Sequence, residues 1–238
     1  KALPDSPGIP KSVISEVLVA PFNDLDFTTQ LIEKHHDELA GVIVEPLQRV
    51  IRPIDGFLQG LRDVTKHYNL PLIFDEIVTG FRLAYGGGQE YYGVTPDLAT
   101  YGKVIGGGYP LAAIAGKEHI MNHFNPNIVS PENAIMQVGT LSGNPVASAA
   151  GLASLAIFKQ PNFYKDLFSK GTKLQKALID TFEKTDIPVR VPGEPPCFDL
   201  YFCDSEIINY RSAFNADKIK LQKFYPTLKR KLIFQMRT

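Results

Sequence analysis

Two short apolar runs constrain this chain more than any other feature. "GVIVEP" and "LPLIFDE" are continuous apolar stretches of strand length, the pattern of strands buried on both faces of a sheet. Between them lies "GFLQGLRDVTKHYN", whose apolar residues recur at the spacing of an amphipathic helix. Strand, helix, strand predicts a βαβ connection, and with it an α/β fold built on a mainly parallel sheet with flanking helices. A third strand is expected over "YPLAAIAG", after a glycine-rich loop and the connecting segment "PDLATYGK". Upstream, "SEVLVAPFND" reads as containing a short strand, and "FTTQLIEKHHDELA" as a helix with Leu31, His35 and Leu39 on one face.

The second half begins with a long helix over "GTLSGNPVASAAGLASLAIFK". Ser142 or Asn144 can cap it, and Pro145 suits its first turn. Its many small residues predict a tightly packed, buried helix, which Pro161 ends. "NFYKDLFSKGTKLQKALIDTFEK" reads as a more polar surface helix, and "IPVRVPG" and "CFDLYF" as strands of a smaller α+β unit. The expected boundary falls near Gln160, giving units over 1–160 and 161–238. Residues 1–11 read as a proline-rich extended loop, and the last stretch, "KIKLQKFYPTLKRKLIFQMRT", as helical at first and then basic.

Formal charge is balanced, with 25 basic and 25 acidic residues and no dense Lys/Arg block. That removes the electrostatic ground for nucleic acid or a membrane surface as partner. The longest apolar runs are too short to span a bilayer, and no signal peptide is visible. Cys197 and Cys203 lie too close on one expected strand to pair, so both read as reduced thiols of a cytoplasmic protein. His119 and His123 have helical i, i+4 spacing but no third ligand at a useful distance, so no metal site is expected.

In open α/β sheets, ligands bind beyond the carboxyl ends of the strands. Glu45 ends "GVIVE" and Asp75 ends "LPLIFD". Asp75 and Glu76 are adjacent, so on a strand only one of them can face a given pocket. Taken alone, a strand-end carboxylate is an ion pair with Arg82 or a helix cap as readily as a ligand. Lys103 is the only charged residue between Asp97 and Lys117, and Gly102 and Gly106–Gly108 flank it. Alone, it could snorkel, burying its stem with the ammonium in water. Glycines on both sides, however, let backbone approach a ligand closely. The loop matches neither the Walker A order nor a dinucleotide-binding fingerprint. A lysine desolvated in an apolar pocket becomes an amine nucleophile suited to a Schiff base. The natural partner of a strand-end aspartate in such a site is a pyridinium nitrogen, the pairing that pyridoxal phosphate uses. Thr140, Ser142 and the backbone amides of "GTLSGNP" could serve its phosphate.

Together, "LIFDEIVTGFRLAYGGGQEYYGVTPDLATYGKVIGGGYPLAAIAGKE" and "GTLSGNP" resemble the class III aminotransferases, which are fold-type-I pyridoxal-phosphate enzymes. Within them the resemblance is greatest to the glutamate-1-semialdehyde 2,1-aminomutase group. It runs from about residue 5 to about residue 223. It implies that 1–160 is the C-terminal portion of a large cofactor-binding domain, and 161–238 part of a small one. It also implies the site roles. Lys103 would carry the cofactor as a Schiff base and shuttle the proton. Asp75 would bond the pyridine nitrogen, and Ile77 would lie against one ring face. Thr140 would bond the phosphate across a homodimer interface, and Glu45 would support the site. The substrate would be an amino or keto acid or an aldehyde. Two departures stand out. "EPLQRVIRPIDGF" is shorter than the corresponding family loop, so Gln48 or Arg49 would be expected to replace its contact to the ring hydroxyl, and Val78 stands where many transaminases have glutamine. The rival expectation is a truncated, non-catalytic relative that does not hold the cofactor, because family members are nearly twice this length.

Overall fold

A computed structural model describes residue 4 and residues 6–232. Helices α1 (Lys11–Ser15) and α2 (Leu25–His35) precede the first strand, β1 (Val42–Val44). Helix α3 (Phe57–His67) leads to β2 (Leu72–Asp75), and α4 (Gly87–Tyr92) leads to β3 (Leu98–Tyr101). A 3-10 turn over Lys103–Gly106 connects to β4 (Ala113–Gly116), which the short helix α5 (Glu118–Met121) follows. Helices α6 (Pro145–Phe158) and α7 (Phe163–Phe182), the hairpin β5 (Gly193–Glu194) and β6 (Cys197–Phe198), and helices α8 (Tyr210–Phe214) and α9 (Lys218–Leu232) follow in the described residues. The expected second unit runs on to residue 238, and its last six residues lie outside the described ones.

The sheet order is β1-β2-β3-β4. β1, β2 and β3 run parallel, in a register that sets Asp75 opposite Thr100, and β4 returns antiparallel to β3. The sheet is therefore mainly parallel, as expected, but "YPLAAIAG" supplies its fourth strand and not its third. The third is "LATY", within the segment read as a connection. Nor does "SEVLVAPFND" hold a strand: among the described residues, 16–24 pair with no strand, and Val17, Leu18 and Val19 are exposed.

Helix α3 presents Phe57, Leu58 and Leu61 to the sheet, where they join Phe22, Leu72 and Phe74 in the core. Fully burying side chains of this size contributes roughly 1.5–3 kcal/mol each. At the amino end of the strands, Asp97 accepts Arg62 Nη1 at 2.7 Å, Leu72 N–H at 2.7 Å and Lys117 Nζ at 2.5 Å. It thereby ties α3, β2 and the end of β4 together. Burial works against ionisation of this carboxyl, but the hydrogen bonds from Lys117, Leu72 and Arg62 outweigh it and hold the pKa at about 2.

Two burial expectations are corrected. β1 is not covered on both faces, since Ile43 is 65% exposed. Helix α6, capped by Asn144 with Pro145 in its first turn, is not a buried helix. Only Ala147 and Gly151 are buried, while Leu152 is 70% exposed. Its small residues serve one close contact, with the 3-10 turn that follows β3. A Cβ at Gly151 would lie 2.5 Å from Leu111 Cδ2, and one at Gly107 would lie 2.5 Å from Ser154 Oγ.

Candidate active site

The carboxyl ends of β1, β2 and β3 bring Glu45, Asp75 and Lys103 to one edge of the sheet. Asp75 Oδ1 accepts the Ile77 amide at 3.0 Å and the Thr100 hydroxyl at 3.3 Å. These bonds fix the carboxylate and leave Oδ2 without a donor among the described residues. The ion pair with Arg82 is not formed, because the Arg82 guanidinium donates to the Val78 carbonyl. Thr100 was not singled out from the sequence. Its role follows from the β2–β3 register, which no local pattern encodes.

Glu76 turns the other way. It is fully buried and accepts the Gly88 amide and the Thr79 hydroxyl at 2.6 Å and the Gln89 amide at 2.9 Å. Gly88 and Gln89 lie in the first turn of α4, where free amides attract an anion. Gly87 makes this possible, since a Cβ there would lie 2.6 Å from Glu76 Oε2.

Ile77 lines a cavity of about 920 Å³ together with Thr100, Tyr101, Leu111, Ile114 and residues 141–143. Gly102 allows Ile77 its position, because a Cβ at Gly102 would lie 3.1 Å from Ile77 Cδ1. Thr140 is exposed and does not line this cavity, although its neighbours Gly139 and Leu141 do.

Lys103 differs from expectation. It stands just past the end of β3 with a left-handed backbone, φ +49°, and its side chain is exposed. A non-glycine residue in that region costs energy that the surrounding structure must supply. The glycines beside it are used within the protein: Gly106 approaches Leu111, and Gly107, at φ +57°, approaches α6. The Lys103 and Arg82 charges act together on the Cys197 thiol in β6, as do Glu45 and Asp199 with opposite sign. Burial dominates there and pushes the thiol up. The β5–β6 hairpin therefore lies within electrostatic reach of the strand-end group. Both cysteines are free.

Glu45 Oε2 accepts the Arg49 amide at 3.2 Å. This steadies a tight turn in which Gln48 and Ile51 exchange backbone hydrogen bonds at 3.1 and 2.8 Å. Gln48 Oε1 is buried and has no hydrogen-bond partner among the described residues.

These residues fit pyridoxal 5'-phosphate on three counts. Asp75 has a free carboxylate oxygen at a strand end, Gln48 has an orphaned buried amide oxygen, and an exposed primary amine stands one strand away. The comparisons with known proteins agree. An omega-transaminase from Sphaerobacter thermophilus superposes with a TM-score of 0.82 at 36% identity, covering 89% of this chain and 48% of that one. A variant of a glutamate-1-semialdehyde-aminomutase from Pseudomonas aeruginosa PAO1, solved in complex with PMP, superposes with a TM-score of 0.71 at 27% identity, covering 84% and 45%. The architecture is that of the fold-type-I pyridoxal-phosphate-dependent transferases.

Within that class the family is defined by sequence. The profile of the class-III aminotransferases matches residues 4–198, and the chain belongs to that family, whose cofactor is pyridoxal 5'-phosphate. The glutamate-1-semialdehyde 2,1-aminomutase of Natranaerobius thermophilus is 42% identical over 229 residues, which is 95% of this chain and 52% of the relative. The chain thus spans about half the length of the relatives it matches.

Proposed function

We propose that the protein moves an amino group on pyridoxal 5'-phosphate, as a transaminase or as an aminomutase, with a small amino or keto acid or aldehyde as substrate. The observation that carries the reading is the free Oδ2 of Asp75, held at the end of β2 by Ile77 N–H and Thr100. When bound, the cofactor would supply an aldehyde and an electron-withdrawing pyridine ring. Asp75 would keep the proton on the ring nitrogen, and Ile77 would lie against the ring. Gln48 would meet the ring hydroxyl through its buried amide, with Glu45 supporting that turn. Lys103 would hold the cofactor covalently through Nζ and, when released, carry a proton between substrate carbons.

Thr140 would bond phosphate in a homodimer. Its exposed loop supports this, because Met136 and Val138 are 82% and 76% exposed beside it, and apolar side chains bared in a row mark an interface. The reading divides the chain into a cofactor-binding portion over 1–160 and part of a smaller unit over 161–238.

The test is titration with pyridoxal 5'-phosphate followed by borohydride reduction and peptide mapping. The expected result is stoichiometric uptake with the label on Lys103, abolished in Lys103→Ala. Absence of uptake favours the alternative, a relative that does not hold the cofactor, and a label on another lysine overturns the assignment.

A further inference from the structure

We infer that Arg52 and Glu194 are positioning residues that aim the Gln48 side chain at the cofactor. The inference rests on the function proposed above and adds to it a requirement on the C-terminal hairpin.

The Gln48–Ile51 turn carries a strained residue at its apex, since Arg49 has φ +60°. Such a conformation persists only where the surroundings hold it. The turn is held just beyond its end. Arg52 Nε meets Glu194 Oε1 at 3.1 Å, and the same guanidinium donates to the Gly193 carbonyl. Glu194 is itself immobilised. It is buried in β5, and it accepts the Tyr91 hydroxyl at 2.8 Å and the Tyr92 hydroxyl at 3.2 Å. The Gly193 carbonyl also accepts Gln175 Nε2 at 3.2 Å. On the other side, Asn23 Nδ2 donates to the carbonyls of Arg52 and Ile208, both at 2.8 Å, and Asn23 Oδ1 accepts the Ile54 amide at 2.9 Å. The segment after β1 is thereby bolted to α4, α7 and the β5–β6 hairpin.

A carboxylate this buried is costly unless fully paired. Here it is paired with one cation and two hydroxyls. Burial and the Glu194 carboxylate push the Tyr91 hydroxyl up to about 12 and that of Tyr92 higher still, so both remain donors. The cluster fixes the turn, and the turn carries the orphaned Gln48 Oε1. The clamp touches no reacting atom, so it acts through Gln48.

The test is a double-mutant cycle between Glu194→Gln and Gln48→Ala, read by the dissociation constant of pyridoxal 5'-phosphate. Asp97→Asn, at the far end of the strands, controls for lost stability. Glu194→Gln is expected to weaken binding about fivefold, the worth of one neutral hydrogen bond, and to have no further effect in a Gln48→Ala background. The same fivefold loss in both backgrounds, or no loss in either, overturns the inference. Without cofactor, exchange of the Ile51 amide, bonded to the Gln48 carbonyl, is expected to quicken in Glu194→Gln but not in Asp97→Asn. Unchanged exchange overturns the clamp. Parent protein that takes up no cofactor instead refutes the proposed function, and the inference falls with it.

Discussion

Asp75 and Glu76 are consecutive residues at the end of β2, and their carboxylates serve opposite sides of the sheet. Glu76 is fully buried, with both oxygens bonded to Thr79 and to the first turn of α4. Asp75 keeps one oxygen on Ile77 N–H and Thr100 and the other free at the strand end. Strand geometry forces this division, because successive side chains point to opposite faces. One carboxylate builds the scaffold and its neighbour is left for a ligand.

Glu76→Gln is therefore expected to be a stability variant. An amide NH2 would replace one oxygen and face a backbone N–H or the Thr79 hydroxyl, leaving a buried donor unpaired. The loss is about 1–3 kcal/mol, measured by urea denaturation.

Asp75→Asn is expected to leave the denaturation midpoint nearly unchanged, since the amide oxygen can still accept from Ile77 and Thr100. What it loses is the charge on the free oxygen. A hydrogen bond to a charged group contributes about 1.5–3 kcal/mol, so the affinity for pyridoxal 5'-phosphate should fall at least about tenfold. Equal affinity in an absorbance titration would remove Asp75 from the site.

The parts legible in the sequence are those whose cause is local. β2 shows in "LPLIFD" because Leu72 and Phe74 are buried and Ile73 is half-buried on the other face, and α3 shows because Leu58, Leu61 and Thr65 recur at helical spacing. β3 is not legible. Its four residues, "LATY", are short and mixed in polarity, and they become a strand by pairing with β2. Thr100 was missed for the same reason. Beyond the nearby Thr79 hydroxyl, Glu76 is held by backbone amides 12 and 13 residues away, which carry no side-chain signature. Arg52 meets Gly193 across 141 residues, beyond any spacing argument. The glycines around Lys103 were legible as close approaches, but what approaches at Gly106 and Gly107 is the protein's own Leu111 and α6.

Asp97 gives a pH dependence. Its folded pKa is lowered from 3.8 to about 2, so it binds protons less readily folded than unfolded. A depressed carboxylate contributes stability that is fully present above its unfolded value and is lost as pH falls through about 4 to about 2. The shift corresponds to about 2 kcal/mol. Asp97→Asn is expected to remove that contribution at pH 7 and to flatten the stability profile between about pH 4 and pH 2. An Asp97→Asn protein with the parent's acid midpoint would contradict it.

Gly107→Ala tests the support beneath Lys103. Gly107 has φ +57°, where an alanine costs about 1–2 kcal/mol. The new Cβ would also lie 2.5 Å from Ser154 Oγ, the hydroxyl that donates to the Ala150 carbonyl at 2.9 Å. The two penalties separate in a double variant. Ser154→Ala removes the oxygen that the methyl meets, so Gly107→Ala should cost less in that background, leaving mainly the backbone contribution. Both can be read from urea midpoints at unchanged slope. An equal cost in the two backgrounds would show that α6 and the Lys103 turn are not in the contact described. If the costs differ, the small residues of α6 set the height of the turn that carries the amine.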